Sequence, residues 1–380
     1  MMSAVKRAAA TLLSVAAFTA AAVGTAQAAG RWQQDPVPAG VSGNVLAMTQ
    51  IDQHTTWAAG FQLTTDGESQ TLNPMLLARD DRAGKGWKRI ATPADGANSR
   101  INALSADGAR NVWLVGDNDS STEGSILTEH WDGKTWSTAY ASVPAGTLAA
   151  GFLGVSTVGA RDAWAVGWTQ RMRGDESYDT GLVEHWDGKA WQYVKLSPGI
   201  PDTMMFGITA TGPHDIWAGG VLTDGTDQPV LLHYDGHTWT RATVPDTGLY
   251  GEFNTVVATA PNDVWAAGRT LVDDNDRGHP LLAHYDGHSW KTVPAPGTGF
   301  ISALAPTPGG VTVVGYDKTT SLAYGQQLDG AGWHSLSLPA VGIDSAPNAL
   351  SVRTGDITVG GYVVPDATSP LRPLLLTASR

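Results

Sequence analysis

The sequence predicts an all-β protein: a seven-bladed β-propeller built from four-stranded blades. Three observations carry this prediction. A short strand ending in Trp-x-x-Gly recurs along the chain. A tight Asp-Gly hairpin follows most copies. The 380 residues include 45 glycines, 15 tryptophans and 9 tyrosines, and no amphipathic helical stretch follows the first 28 residues.

The N-terminus has the pattern of a secretory leader. Lys6 and Arg7 are basic, Ala8–Val23 is an apolar run of small residues, and Ala26-Gln27-Ala28 forms an A-x-A cleavage site. The run is too short and too rich in alanine for a good membrane span, and no other run reaches membrane length. Residues 1–28 are therefore expected to be a signal peptide, and residues 29–380 a single secreted, extracellular domain. The leader takes two of the 24 basic residues and none of the 36 acidic ones, which leaves 22 against 36, a formal charge of −14. Such a balance argues against nucleic acid, whose phosphates require a basic surface. There is no cysteine. An exported chain without disulfides must be held by its core, and about 350 residues are enough to bury a large one.

The elements then follow in order. The second strand of each unit, B, ends at Trp57…Gly60, Trp113…Gly116, Trp164…Gly167, Trp217…Gly220 and Trp265…Gly268. Two later copies carry Thr for Trp, at Thr312…Gly315 and Thr358…Gly361. These seven are spaced 46 to 56 residues apart. A first strand, A, precedes each copy: Val45–Met48, Ile101–Ser105, Phe152–Thr157, Phe206–Ala210, Phe253–Ala258, Phe300–Ala305 and Asn348–Val352. Their small residues suit strands crowded around an axis. Strands C and D form the hairpins W-D-G-K-T-W (131–136), W-D-G-K-A-W (186–191), Y-D-G-H-T-W (234–239), Y-D-G-H-S-W (285–290) and L-D-G-A-G-W (328–333), with a degenerate D-R-A-G-K-G-W at 81–87. Asp-Gly between apolar runs signals a tight turn, because Gly accepts its positive φ. After Gly361 only 19 residues remain, enough for a strand C but for no Trp-to-Pro strand. That piece stands at the front: Trp32–Pro38 has the spacing of Trp87–Pro93, Trp239–Pro245 and Trp333–Pro339. The N-terminal strand is thus expected to complete the last blade and remove the open edge.

A strand ending V-W-A-G-G, then h-Y-D-G-x-x-W and a Pro, resembles the kelch repeat and the propeller domain of galactose oxidase. The likeness covers essentially the whole mature chain. The Gly pair is complete at Gly219-Gly220 and Gly360-Gly361, and the Tyr-to-Trp spacing is slightly short. The hairpins also resemble the Asp-boxes of sialidase-type propellers, with one residue missing between Asp and Gly. Both resemblances imply a propeller and neither implies an activity. Galactose oxidase chemistry needs a Cys–Tyr crosslink and copper, which a chain without cysteine lacks.

Residues that repeat in every blade are expected to be architectural. Asp132, Asp187, Asp235, Asp286 and Asp329 should accept backbone hydrogen bonds in their turns. Asp162, Asp215 and Asp263 should act likewise in the A–B turns. His130, His185, His233 and His284 share one position in strand C. Equivalent positions of neighbouring blades are too far apart to share an ion, so a His–Asp or His–backbone bond per blade is expected instead of a metal. Trp57, Trp113, Trp164, Trp217 and Trp265, with Trp136, Trp191, Trp239, Trp290 and Trp333, are expected to pack between blades.

Variation between repeats marks the candidate binding face. The B–C segments are read as loops at Phe61–Asn73, Asp117–Ser125, Trp168–Thr180, Val221–Pro229 and Arg269–His279. The most distinctive offers Trp168 as a stacking surface beside Arg171, Arg173, Asp175, Glu176 and Tyr178, a set that suits a sugar ring or a peptide. Asp273, Asp274 and Asp276 resemble the start of a calcium loop, but Arg277 stands where an acid is wanted and no closing Glu follows. Enzyme signatures fail: there is no G-x-S-x-G and no H-E-x-x-H. The expected function is a non-catalytic binding module, monomeric and without a resident cofactor, whose ligand is an extracellular glycan or protein surface. Two alternatives stay open. One is a polysaccharide hydrolase or lyase using Asp175, Glu176 or Asp179; the other is an extracellular scaffold.

Overall fold

The computed structural model describes residues 32–379, apart from 67–68, 85, 96–97, 119–125, 249, 274–275, 308 and 354–355. The leader expected at 1–28 lies outside the described residues, as does Asp274. The described residues form seven four-stranded antiparallel sheets. Blades 1 to 6 span 43–90, 99–138, 149–193, 203–241, 250–292 and 300–335, and blade 7 takes 344–379 plus β1 (Trp32–Gln34). The A strands of adjacent blades meet around the axis, including blade 7 with blade 1, so the ring is closed. β1 pairs with the last strand in the expected sense, Trp32 opposite Ala378 and Gln34 opposite Leu376. Every A strand expected from the sequence falls inside an observed one.

Two expected loops are strands. Residues 61–66 and 69–73 continue strands B and C of blade 1 outward as a pair, and residues 168–180 do so in blade 3 as a long hairpin. In the second, Asp162–Arg173 pairs with Glu176–Trp186 without interruption, and Arg173 faces Glu176 across the turn. Gly174, at φ +65°, closes that turn. The side chains on both sides of it keep a two-residue period, which the loop reading passed over.

The repeat glycine has a steric cause. Each A strand carries a bulge at one shared position, where Leu46, Asn102, Leu153, Phe206, Asn254, Ser302 and Asn348 are left unpaired. The bulge kinks strand A toward strand B. A Cβ on Gly60, Gly116, Gly167, Gly220, Gly268, Gly315 or Gly361 would run into a carbonyl oxygen of strand A. Glycine is the residue that lets the two backbones approach so closely. Three of the unpaired side chains tie one blade to the next. Asn102 Nδ2 donates to Phe152 O at 2.9 Å and Asn348 Nδ2 to Val45 O at 3.2 Å, while Ser302 donates to Pro347 O.

The hydrophobic core lies between the blades. Trp57, Trp113, Trp164 and Trp217 are buried against the strand-C and strand-D aromatics of the following blade, and Trp265 against Leu328 and Trp333. Trp113 meets Trp186 and Trp191 with centroids 4.8 and 4.9 Å apart; Trp217 meets Tyr285 and Trp290 at 5.1 and 5.3 Å. On their own blades Trp113, Trp164, Trp217 and Trp265 pack on the strand-C histidine, at 4.1 Å for Trp217–His233 and Trp265–His284, whereas Trp57 faces Ala78. That histidine's Nε2 is bonded to the A–B turn residue: Asn111, Asp162, Asp215 or Asp263, at 2.7–2.9 Å. The hairpin Asp residues behave as turn acceptors. Asp132 Oδ1 takes the amides of Lys134 and Thr135 at 2.8 Å, and Asp187, Asp235 and Asp286 repeat the arrangement.

The seam between blades 7 and 1 is built differently. Thr358 stands at the Trp position and Thr377 at the His position, while Arg79 replaces the strand-C aromatic. Arg79 Nη1 reaches Asp35 Oδ2 at 3.1 Å, and both side chains are buried. Asp35 Oδ2 also accepts from Trp87 Nε1 at 3.1 Å and from Thr377 Oγ1 at 2.8 Å. Arg79 extends to Asp81 at 3.2 Å, and Asp81 pairs with Arg353. The ring is therefore closed by hydrogen bonds from β1 and by a buried ion pair that the same N-terminal segment delivers.

Candidate functional site

Strand B runs toward the B–C turns, so the residue after each repeat glycine stands on the B–C/D–A face. Its identity changes in every blade but two: Phe61, Asp117, Trp168, Val221, Arg269, Tyr316 and Tyr362. Opposite them on the A strands lie Asn44, Arg100, Gly151, Met204, Glu252, Phe300 and Ala346. The scaffold is thus repetitive up to the glycine and individual beyond it.

Several of these residues form polar groups with ring surfaces beside them. Arg100 holds Asp117 through two bonds, at 2.8 and 2.7 Å, and Asn102 adds a third donor to the same carboxylate at 3.0 Å. Asp117 and the Trp168 indole close over Gly151, where a Cβ would meet Asp117 Cβ at 2.8 Å and Trp168 Nε1 at 3.1 Å. Across the mouth, Arg269 pairs with Glu252 at 3.0 Å and approaches the Phe300 ring, which stacks on Tyr316 at 5.6 Å. Arg277 donates to Tyr316 Oη at 3.1 Å, and Tyr362 donates to Asp344 at 3.0 Å. Burial pushes the Asp344 carboxyl up and the Tyr362 phenol well above its ordinary range.

The set expected at 168–178 divides. Trp168 lies on one face of its hairpin with Gln170 and Met172, whereas Arg171, Arg173 and Tyr178 lie on the other, because alternate residues of a strand point oppositely. Arg171 donates to Ala145 O at 3.0 Å. Arg173 pairs with Asp202 at 3.1 Å and covers the Tyr178 ring at 4.3 Å. Trp168 instead groups with Arg100 and Asp117. Asp175 and Glu176 stand exposed at the hairpin tip, and Asp179 is buried farther down the strand beside Gln170. These carboxylates do not share one pocket. At the acidic loop, Asp276 binds Lys318 at 2.9 Å through one oxygen and His279 at 3.1 Å through the other, and its oxygens also accept amides of Gly278 and Val272. Burial raises its pKa, but these donors outweigh it and hold the carboxyl well below the usual range. Among the described residues no cluster of three His, Asp or Glu is arranged to hold an ion.

The sequence reading missed the apolar part of this face. Seven large hydrophobic side chains are exposed among the described residues, and five of them sit here: Leu148, Tyr250 and Ile343 at the starts of A strands, Met172 near the end of the strand B of blade 3, and Val272 on a B–C turn. Next to Ile343, on the outer part of blade 7, a cavity of about 470 Å3 opens between Pro36, Val37, Val341, Val363, Pro365 and Pro373. The signal was present as an apolar residue directly before or at the start of alternate A strands.

No protein-family model matches the chain, and no curated protein sequence matches it either. Solved structures do. YCF48 bound to a D1 peptide is 17% identical, with a TM-score of 0.56, and the match covers 93% of this chain and 99% of that one. YCF48 from Cyanidioschyzon merolae is 14% identical, with a TM-score of 0.58 and coverage of 92% and 99%. A fucose-specific lectin from Aleuria aurantia is 16% identical over 79% of this chain and 99% of its own, at a TM-score of 0.45. The likeness to YCF48 is one of fold. No helix among the described residues is long and apolar enough to cross a membrane.

Proposed function

We propose that this chain is a secreted, monomeric, non-catalytic binding module that presents its B–C/D–A face to an extracellular protein or glycan. The observation that carries the proposal is the concentration of exposed apolar side chains on that one face, beside the ring of residues that differ from blade to blade. Large exposed apolar side chains gathered on one face beside polar groups support an interaction site on that face. Leucine, isoleucine, methionine and valine favour a protein surface, and the proline- and valine-walled cavity of blade 7 would take an aliphatic side chain of such a partner. YCF48, a propeller of similar fold, has been solved with a peptide bound, which is a precedent for this use of the scaffold. Secretion rests on the leader at 1–28, and the kelch-like repeat resemblance supports the same blade plan. A glycan remains the second reading, supported by the Trp168 ring beside the Arg100–Asp117 pair. Acid–base catalysis needs convergent carboxylates, and Asp175, Glu176 and Asp179 do not supply them. Binding of the proposed kind needs no metal.

The test begins with peptides selected from a random display library on the mature protein. Replacing Leu148, Tyr250 and Ile343 together by Asp is expected to weaken the selected peptides at least tenfold, about 1.4 kcal/mol. Tyr193→Asp, on the outer rim of blade 3, should leave them unchanged. Equal affinity for the triple variant and the parent would defeat the proposal.

A further inference from the structure

The two remaining exposed hydrophobic residues, Tyr140 and Tyr193, lie away from the mouth, on the outer rim of blades 2 and 3. Beside Tyr140, which is 87% exposed, a cavity of about 340 Å3 enters the seam between these blades, on the side of the C–D turns. His130 and Trp186 line it, and the fully buried Trp113 lies beneath. Alanines make the space. The outer strand of each blade carries a side chain three residues after its Trp that packs toward the next hairpin, where a turn residue precedes the next Trp. The two positions hold Ile90 with Thr135, Val194 with Thr238, and Ala242 with Ser289 in other seams; here they are Ala139 and Ala190. The chain also takes two residues more than usual between Trp136 and Pro144 than between Trp87 and Pro93, and Tyr140 stands in this lengthened segment.

The geometry points to a second binding site in this cavity, one that takes a single pyranose ring. Its volume lies at the small end of ligand pockets, too small for a folded segment. Trp186 and Tyr140 offer flat apolar surfaces with polar edges, which suit a ring whose one face is C–H and whose rim is hydroxyl. The Lys189 ammonium and the Ser137 hydroxyl beside the cavity supply donors and an acceptor for that rim. The ammonium disfavours a cationic occupant. The site is independent of the mouth, and the two proposals can fail separately.

The experiment is ligand-observed saturation-transfer NMR on the mature protein with a panel of methyl pyranosides: hexosides, 6-deoxyhexosides, N-acetylhexosaminides and uronides. At least one is expected to show saturable transfer. Tyr140→Ala, which removes an exposed ring, should weaken it about tenfold. Ala139→Leu, which introduces the residue that Leu336 already provides at the same position of blade 6, should abolish it without lowering the melting temperature. The Leu148, Tyr250 and Ile343 triple Asp variant should bind the glycoside as the parent does. No transfer across the panel would overturn the inference, as would transfer indifferent to both Tyr140→Ala and Ala139→Leu. Loss in the mouth variant alone would place the sugar at the mouth and overturn it equally.

Discussion

Replacing Asp35 by Ala should expose how the ring is closed. Asp35 is 4% exposed, Arg79 7% and Trp87 4%. The substitution removes the carboxylate that faces Arg79 at 3.1 Å and leaves Trp87 Nε1 and Thr377 Oγ1 without their acceptor. Stranding one member of a buried ion pair costs about 3–5 kcal/mol. Arg79 keeps Asp81 at 3.2 Å, which is partly exposed, so the expected loss lies near the lower figure, about 3 kcal/mol. Removing both charges behaves differently, because a buried pair pays desolvation on each member. The double variant Asp35→Ala/Arg79→Met should therefore recover at least half of the loss. The assay is urea unfolding followed by tryptophan fluorescence at pH 7, with a full cycle of single and double variants. A loss below about 1 kcal/mol for Asp35→Ala, or a double variant no more stable than the single, would refute a closure that depends on this pair.

Three other outcomes follow from the same structure. Gly220→Ala places a methyl group against Met204 O and should lower stability by about 1–3 kcal/mol or prevent folding, whereas Gly212→Ala, in open space and without a positive φ, should cost less than about 1 kcal/mol; similar values for the two would remove the steric account of the repeat. Burial pushes Glu129 and Glu184 up to about 7, so the folded state binds more protons than the unfolded one between pH 4.5 and 7 and stability falls as pH rises through that window, by about 3 kcal/mol per residue at most; Glu184→Gln should flatten its share of the slope and stabilise the protein at pH 8, and an unchanged profile would refute the assignment. Trp113→Ala, which empties the seam between blades 2 and 3, should cost about 3–5 kcal/mol in the same unfolding assay, and a loss below 1 kcal/mol would show that the seam aromatics do not form the core.

The fold was legible because its signals are local and repeated. Trp-x-x-Gly, the Asp-Gly turn and the Trp-to-Pro spacing each mark one piece of a blade, and seven repetitions fixed the count. Even the displaced strand at Trp32 was visible, since its spacing matched its siblings. What stayed hidden depends on three dimensions. The glycine was recognisable as a repeat, yet its cause, a carbonyl thrust out by a bulge one strand away, involves residues about 16 positions earlier in the sequence. The segment around Trp168 read as a loop because its composition is polar; the alternation that makes it a hairpin also separates Trp168 from Arg171, Arg173 and Tyr178. Arg100 and Asp117 gave no motif, because they meet only when strands A and B pair. The Asp35–Arg79 seam was foreshadowed only by the degenerate first hairpin and by Thr358 at a Trp position.

Whether the partner meets the B–C/D–A face can be read from hydrogen–deuterium exchange of the mature protein with and without a peptide selected on it. Exchange is expected to slow in the segments that start the A strands and in the B–C hairpins, including 143–150, 168–180, 246–252 and 340–346, with the C–D hairpins at 186–191 and 234–239 unchanged. Protection confined to those C–D hairpins would contradict it.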